Sequence, residues 1–254
     1  MLLKLSRTGM TCLSIGGSLA LWECISRSGA VNPLLFPPPS AALIALRDLA
    51  AGGVLASDIG ASLWRALAGL LIAVVLGIGA GLLTGRNRLA DRLLSPPLEL
   101  LRALPPVAVI PLVIVWLGIG DGAKLFSIAL AAFFPMWVAT HAGVKRVRPE
   151  FLWSAALLTR SRWKVTAEVV LPAALPFIMT GVRNAAALAF IMVFVSELAG
   201  ASSGLGYRIA VAQLSYRVDQ MVAGLAVLSL CAAATQWCCT RAADRSFPWL
   251  SHAA

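Results

Sequence analysis

Charged side chains are scarce in this chain, so each one inside an apolar stretch is a candidate for chemistry. Arg183 and Glu197 lie in one such stretch, fourteen residues apart, which is nearly four helical turns and places them on roughly one face, near opposite ends of a helix. Arg102, with Glu99 close by, sits at the start of another apolar run. A charge at the bilayer centre costs ~3 kcal/mol or more, so such groups face protein or water. The chemistry on offer is the handling of a small ion, with Arg183, Glu197 and Arg102 as candidate lining of a path; a positive inner lining suits an anion. The plainer alternative is that these side chains snorkel or cap at the interfaces. Metal chemistry has little to build on. The five cysteines include no CxxC pair, and most lie in or beside apolar runs, where Cys acts as a small hydrophobe. His141 and His252 are too few for a histidine metal site. No cluster of His, Asp and Ser suggests an enzyme.

A second chemical feature is a polar interlude. The stretch from Glu150 to Pro176 reads EFLWSAALLTRSRWKVTAEVVLPAALP and separates two strongly apolar segments. It carries Arg160, Arg162, Lys164 and Glu168 and ends on Leu171-Pro172. It reads as a short helix pair held between two membrane helices, able to be gripped by a soluble partner. Trp153 and Leu157, four residues apart, share a helix face. Arg160 and Lys164 can meet acidic groups. The bland alternative is an amphipathic helix lying on the membrane surface.

These groups need elements to hold them, and the composition says which kind. Of 254 residues, 59% are apolar and only 13% charged, against the ~25% charged of an average soluble domain. The class is therefore an all-α integral membrane protein. The net charge of +10 falls in short clusters between apolar runs, with few aromatics nearby, which argues against nucleic acid and for basic membrane-protein loops.

Taken in order, Lys4 and Arg7 precede a first, uncleaved helix over about residues 8–27. Pro37, Pro38 and Pro39 then break the chain, and Ser40 is placed to cap a short helix that ends near Gly52-Gly53. At about twelve residues it is too short to span and belongs at the outer membrane surface. Ala66–Gly85 is a second span rich in glycine, including a Gly77-Gly81 pair of the GxxxG kind, a weak packing signal alone. A third, about residues 98–118, contains Pro105, Pro106 and Pro111 and reads as a bent helix. Leu125–Val144 is the fourth and about residues 173–198 the fifth. A Gly- and Ser-rich loop, GASSGLGYRIAVAQLSYRVDQ, leads to the sixth, Met221–Thr240. With both termini inside, thirteen Lys and Arg fall inside against five outside, which favours this orientation. The expected division is residues 1–57 for the first helix and the interfacial helix, and residues 58–245 for the remaining five spans, with the polar loop at about 146–172.

The six-span order, the basic loop before VVLPAALP, and the segments FPPPSAALIAL, LRALPPVAVIPLVIVWLGIG, FFPMWVATHAGVKRVRPE and GASSGLGY together resemble the permease subunits of bacterial ABC importers, closest to the nitrate, sulfonate and taurine type. The resemblance covers about Leu34 to Thr240 and implies the type I importer permease fold with a cytoplasmic coupling helix over residues 151–163. The family loop carries Glu-Ala-Ala, a Gly after three further residues, and a terminal Leu-Pro. Counted back from Leu171-Pro172, the Glu falls on Trp153, the alanines on Ser154 and Ala155, and the Gly on Thr159, so the Glu and the Gly are absent here. A one-residue shift puts Ser154 at the Glu position and needs a deletion. Trp153, Ser154, Ala155, Leu157, Thr159, Arg160, Leu171 and Pro172 are the implied ATPase-coupling residues.

The resemblance also implies partners: an ABC ATPase, a second permease copy (usually identical), a periplasmic binding protein and the inner-membrane bilayer. No GxxxxGK[ST] phosphate loop occurs, so ATP is expected on the partner and no cofactor on this chain. The implied solute is a small anion such as an aliphatic sulfonate, taurine or nitrate. A heterocyclic vitamin precursor carried by the same machinery is the alternative, and a secondary transporter is the alternative of another class. The latter needs coupling carboxylates in mid-membrane, and none is well centred.

Overall fold

The glycines of the second apolar segment organise the bundle. In the computed structural model, which describes residues 7–246, that segment is a 33-residue helix, α3 (Val54–Arg86). It runs beside α6 (Asp121–Lys145). A Cβ on Gly69, Gly77, Gly81 or Gly85 would collide with Ile128, Met136, Thr140 or Val144 of α6 respectively. The offset between partners is the same in every pair, so the two helices run parallel in one register. Buried Ala73 fills the gap in the stripe, while Gly79 faces open space. Gly81→Leu is therefore expected to overpack this seam and destabilise by ~1–3 kcal/mol. Gly79→Leu should leave the melting temperature in detergent near that of the unaltered protein, and equal melting of the two variants would refute the seam.

The remaining helices are α1 (Arg7–Arg27), α2 (Pro39–Ala51), α4 (Arg88–Arg102), α5 (Pro106–Leu117), α7 (Pro149–Leu158), α8 (Arg162–Val165), α9 (Leu171–Gly200), α10 (Leu205–Leu214) and α11 (Val218–Ser246). No strand occurs among the described residues. A single π-helical turn, Thr166–Val170, joins α8 to α9. Pro172 has no N–H to offer the Glu168 carbonyl, which is where the ladder changes its step. Antiparallel α9 closes on α6 through Gly181, against Ala139, and Gly143, against Phe177 and Ala174. The core lies between α3, α6 and α9, with Met136, Ile178 and Val193 fully buried.

Among the described residues, four helical segments are long and apolar enough to cross a membrane: Val54–Arg86, Asp121–Lys145, Arg162–Gly200 and Val218–Ala243. A fifth follows if α4 and α5 count as one broken span. The all-α membrane class holds.

Several local expectations change. The 98–118 segment is not one bent helix: α4 and α5 meet at 97°. Leu104 precedes Pro105, which disfavours helical backbone there, and Pro106 restarts the helix at its first turn. Ser40 does not cap α2. Pro38 holds the cap position without a side-chain bond, and the Ser40 N–H and hydroxyl both donate to Glu23 of α1 at 3.1 and 2.8 Å. α3 starts at Val54 rather than near Ala66, so the expected boundary at 57/58 falls inside a continuous helix. The Gly-Ser loop after α9 holds a helix, α10, beyond its first four residues. Lys4, counted among the inside charges, and His252, weighed as a metal ligand, lie outside the described residues.

Candidate functional site

Three places concentrate polar or exposed groups, and the glycine register sorts them by depth. Gly85 against Val144 and Gly143 against Ala174 bring the ends of α3 and α6 and the start of α9 to one end of the bundle. That end carries Arg86, Arg88, Arg92, Lys145, Arg146, Arg148, Arg160, Arg162 and Lys164, and is called here the Arg-rich end. α4 is fixed to it. Asn87 caps α4 by accepting from Leu89 N at 2.9 Å, and Asp91 accepts from Lys145 at 2.8 Å and Ser95 at 2.7 Å.

The loop between α6 and α9 sits at this end. Pro149 starts α7, and Ala155 is its one buried residue. The exposed faces are unusually apolar: Trp153 is 68% exposed, Leu157 90%, Leu158 87% and Trp163, on α8, 78%. Trp153 and Leu157 thus share an exposed face, as their spacing requires. The single helix expected over residues 151–163 is interrupted: α7 stops at Leu158, the chain is extended at Thr159 (φ −150°, ψ 141°), and α8 begins at Arg162. That backbone suits any residue, so Thr stands without strain at the position the resemblance gives to Gly. The Thr159 hydroxyl accepts from Ser161 N at 3.2 Å, and the Ser161 hydroxyl in turn caps α8. A groove of about 420 Å³ separates α7 from the start of α9, lined by Ser154, Ala155, Thr159, Lys164, Glu168 and Pro172. Leu171 and Pro172 open α9, while Arg160 is exposed in the break.

The second place is mid-bundle. Arg183 is not near an end of its helix. It lies fifteen residues after Glu168 and fourteen before Glu197, about 22 and 21 Å along the axis. Its side chain is exposed, and among the described residues it makes no ion pair. Asn184 beside it lines a groove of about 480 Å³ that also reaches Arg102, Pro106, Pro135 and Leu188. Arg102 pairs with Glu99 at 2.7 Å, both half exposed.

The third place is at the opposite end, and there Glu197 departs from the expected role. It is 1% exposed and does not share an open face with Arg183. Arg65, 5% exposed, binds it through Nη1 at 2.7 Å and binds Asp121 through Nε at 2.8 Å. The same Nη1 donates to the Ser203 carbonyl at 2.7 Å. Ser62 donates to Glu197 at 2.8 Å and accepts from Leu205 N at 2.8 Å. Asp58 accepts from Gly204 N at 2.9 Å and from Arg208 Nε at 2.8 Å. Glu197 also accepts from Gly206 N at 2.8 Å. Three N–H groups at the start of α10, which no helix can satisfy internally, thus meet acceptors from α3 and α9. Two of these acceptors are carboxylates at the positive end of the helix dipole. Gly204 (φ +118°) and Gly206 are required, since a Cβ on Gly204 would overlap the Glu197 carboxylate and one on Gly206 would meet the Phe194 carbonyl and the Glu197 Cβ.

Asp58, Ser62, Arg65, Ser203 and Arg208 were not singled out from sequence as functional. The spacing Asp58, Ser62, Arg65 is a usable signal, because it aligns three polar groups on one face of an otherwise apolar helix. The arrangement is that of an apolar helical bundle with a buried polar clasp at one end and a loop with exposed apolar side chains at the other.

That is the fold of a transporter's membrane subunit. The chain superposes on a subunit of the MetNI methionine ABC transporter in its inward-facing form, with TM-score 0.61 at 19% identity, covering 78% of this chain and 96% of that one. An amino acid ABC transporter gives TM-score 0.59 at 16% identity, covering 77% and 94%. Residues 73–248 match the family described as binding-protein-dependent transport system inner membrane component. The chain belongs to that family and is an ABC transporter permease, not an enzyme. It is 33% identical over 84% of its length to the putative aliphatic sulfonates transport permease protein SsuC of Bacillus subtilis, covering 77% of that protein. It is 34% identical to the taurine transport system permease protein TauC of Escherichia coli, covering 84% and 80%. A probable ABC transporter permease of Brucella melitensis is 37% identical, covering 89% and 91%.

Proposed function

We propose that this chain forms the membrane path of an ATP-driven importer for a small anionic solute, an aliphatic sulfonate or taurine foremost and nitrate within the same class. The observation that carries the reading is the exposed apolar face of α7 and α8 at the Arg-rich end. Trp153, Leu157 and Trp163 make no use of water, and a soluble partner covers them at a gain of ~1.5–3 kcal/mol per large side chain buried. In this reading the Arg-rich end is cytoplasmic and both termini lie there, as lysine and arginine prefer. α1 is the first of six spans, and α4 with α5 the third. The protein sits in the bacterial inner membrane. α7, α8 and their break are the coupling element for an ABC ATPase, with Ser154, Ala155, Thr159 and Arg160 at its edge and Leu171-Pro172 at its root. ATP binds to that partner, and this chain needs no cofactor. A second, identical permease completes the path, and a periplasmic binding protein delivers the solute to the opposite face. Alternating access follows from the ATPase opening and closing against the loop.

The solute class rests on the sulfonate and taurine relatives and on the unpaired Arg183 at mid-depth. Arg183→Leu is expected to lower uptake at least tenfold while membrane abundance stays unchanged; normal uptake by that variant would remove Arg183 from the path. The whole reading is tested by ATP hydrolysis in reconstituted vesicles, with the chain co-expressed with its neighbouring ATPase. Binding protein loaded with taurine or an alkanesulfonate should stimulate turnover. An assembled complex without stimulation by any of these would refute the solute class, and failure to form a complex would refute the coupling role.

A further inference from the structure

The groove beside Asn184 has a composition that lipid-facing surfaces lack. Its wall is largely apolar, with Phe134, Val138 and Leu188. Two side chains in it are polar at their tips, Arg102 and Asn184. It also contains Pro135, in the middle of α6. Pro135 has no N–H for the Ala131 carbonyl one turn back, and Ala131 lines the same groove. Backbone left short of a partner at membrane depth is tolerated where it meets protein or water, not hydrocarbon. At about 480 Å³ the groove falls within the usual range for small-molecule sites.

The polar groups are sorted along its length. Pro135 and Asn184 lie near the middle of α6 and α9, and Ala142 lies close to the Arg-rich end, where Arg102 ends α4. Glu99 already occupies Arg102, with oxygen–nitrogen distances of 2.7 and 2.9 Å. A guanidinium with a carboxylate held one turn away is a cation with a built-in competitor. Such a site binds an arriving anion weakly and returns to its ion pair when the anion leaves, which is what a transit site needs.

Building on the importer reading above, we propose that this groove is the solute's contact site in the permease, with Arg102 and Asn184 as its specificity-determining residues. Arg102 takes the sulfonate head in exchange for Glu99. The Asn184 amide donates to a sulfonate oxygen, and the apolar wall takes the alkyl chain. The site therefore favours organic sulfonates over small inorganic anions, which makes nitrate the least fitting of the solutes proposed above.

The test uses the assembled importer in vesicles, with the five native cysteines replaced by Ser and Leu188→Cys introduced. The probes are two thiol reagents of similar size, sulfonatoethyl and trimethylammonioethyl methanethiosulfonate. The anionic reagent should modify Leu188→Cys faster, and butanesulfonate should slow it while chloride and nitrate do not. Adding Arg102→Gln or Asn184→Leu should cut the anionic rate about tenfold and leave the cationic rate unchanged or higher. Adding Glu99→Gln should raise the anionic rate. Labelling blind to reagent charge and to Arg102→Gln would overturn the proposal. So would modification by a membrane-permeant neutral reagent alone, which would mean that lipid or a second copy fills the groove. Stimulated ATP hydrolysis in the same vesicles separates the two readings. Stimulation with charge-blind labelling defeats the groove alone, whereas charge-selective labelling without stimulation defeats the importer reading alone.

Discussion

Glu197→Ala is expected to cost ~3–5 kcal/mol, enough to empty the membrane of folded protein or to lower its melting point steeply in detergent. The reason is what remains behind. Arg65 is 5% exposed and, besides the neutral Ser203, would keep only Asp121, the more exposed of its two carboxylate partners, while the Gly206 N–H would lose its acceptor. Removing one member of a buried pair leaves an uncompensated charge, which is worse than never having had the pair. Glu197→Gln keeps the shape and some hydrogen bonds, so it should fall between Ala and the native residue. Arg65→Met combined with Glu197→Leu should recover much of the loss, since no bare charge remains. Thermal unfolding of the four proteins decides the matter. If Glu197→Ala melts with the native protein, or the double variant is worse than either single one, the clasp does not hold the fold together.

Trp153→Asp with Leu157→Asp should abolish assembly with the ATPase. Both side chains are largely exposed in the isolated chain, so folding should not suffer. At a docked interface each substitution removes a large apolar contact and requires a carboxylate to be desolvated. A combined loss above ~4 kcal/mol lowers affinity about a thousandfold. Co-purification of the tagged ATPase reports the result, with permease yield and melting temperature as controls. Retained co-purification would move the docking face away from this side of α7.

The membrane class, most apolar segments and the polar loop were legible because each is a local pattern. Twenty uncharged residues, a basic cluster after them and a four-residue spacing can be read without knowing what packs where. The loop's apolar face, Trp153 with Leu157, came through for that reason. The clasp did not, because its members lie far apart in the chain. Ser62 and Glu197 are separated by 135 positions, and a charge near a helix end gives no hint whether a distant partner buries it. The start of α3 was missed for a related reason. Asp58 and Arg65 look like the polar edge of a span until their partners Arg208 and Glu197 are known. The 97° elbow between α4 and α5 reads as a bend in the sequence because prolines announce a break without giving its angle. α10 reads as loop in the sequence because Gly and Ser at its start hide a helix capped from outside itself.

The matched seam between α3 and α6 bears on how force passes through the molecule. Glycine after glycine lets Ile128, Met136, Thr140 and Val144 seat against bare backbone, and antiparallel α9 is keyed to the same pair through Gly181. Knobs seated this deeply cannot slide by less than a full helical turn without riding over one another. Under a push on the loop, these three helices would move as a single strut. The give would then lie in the joints around them: the non-helical residues at Thr159–Ser161, the elbow at Ala103–Pro105, and Gly118, whose backbone (φ +76°) suits glycine. A push delivered at the Arg-rich end would then arrive at the far end undiminished, as displacement of a rigid rod rather than as a local rearrangement that fades with distance.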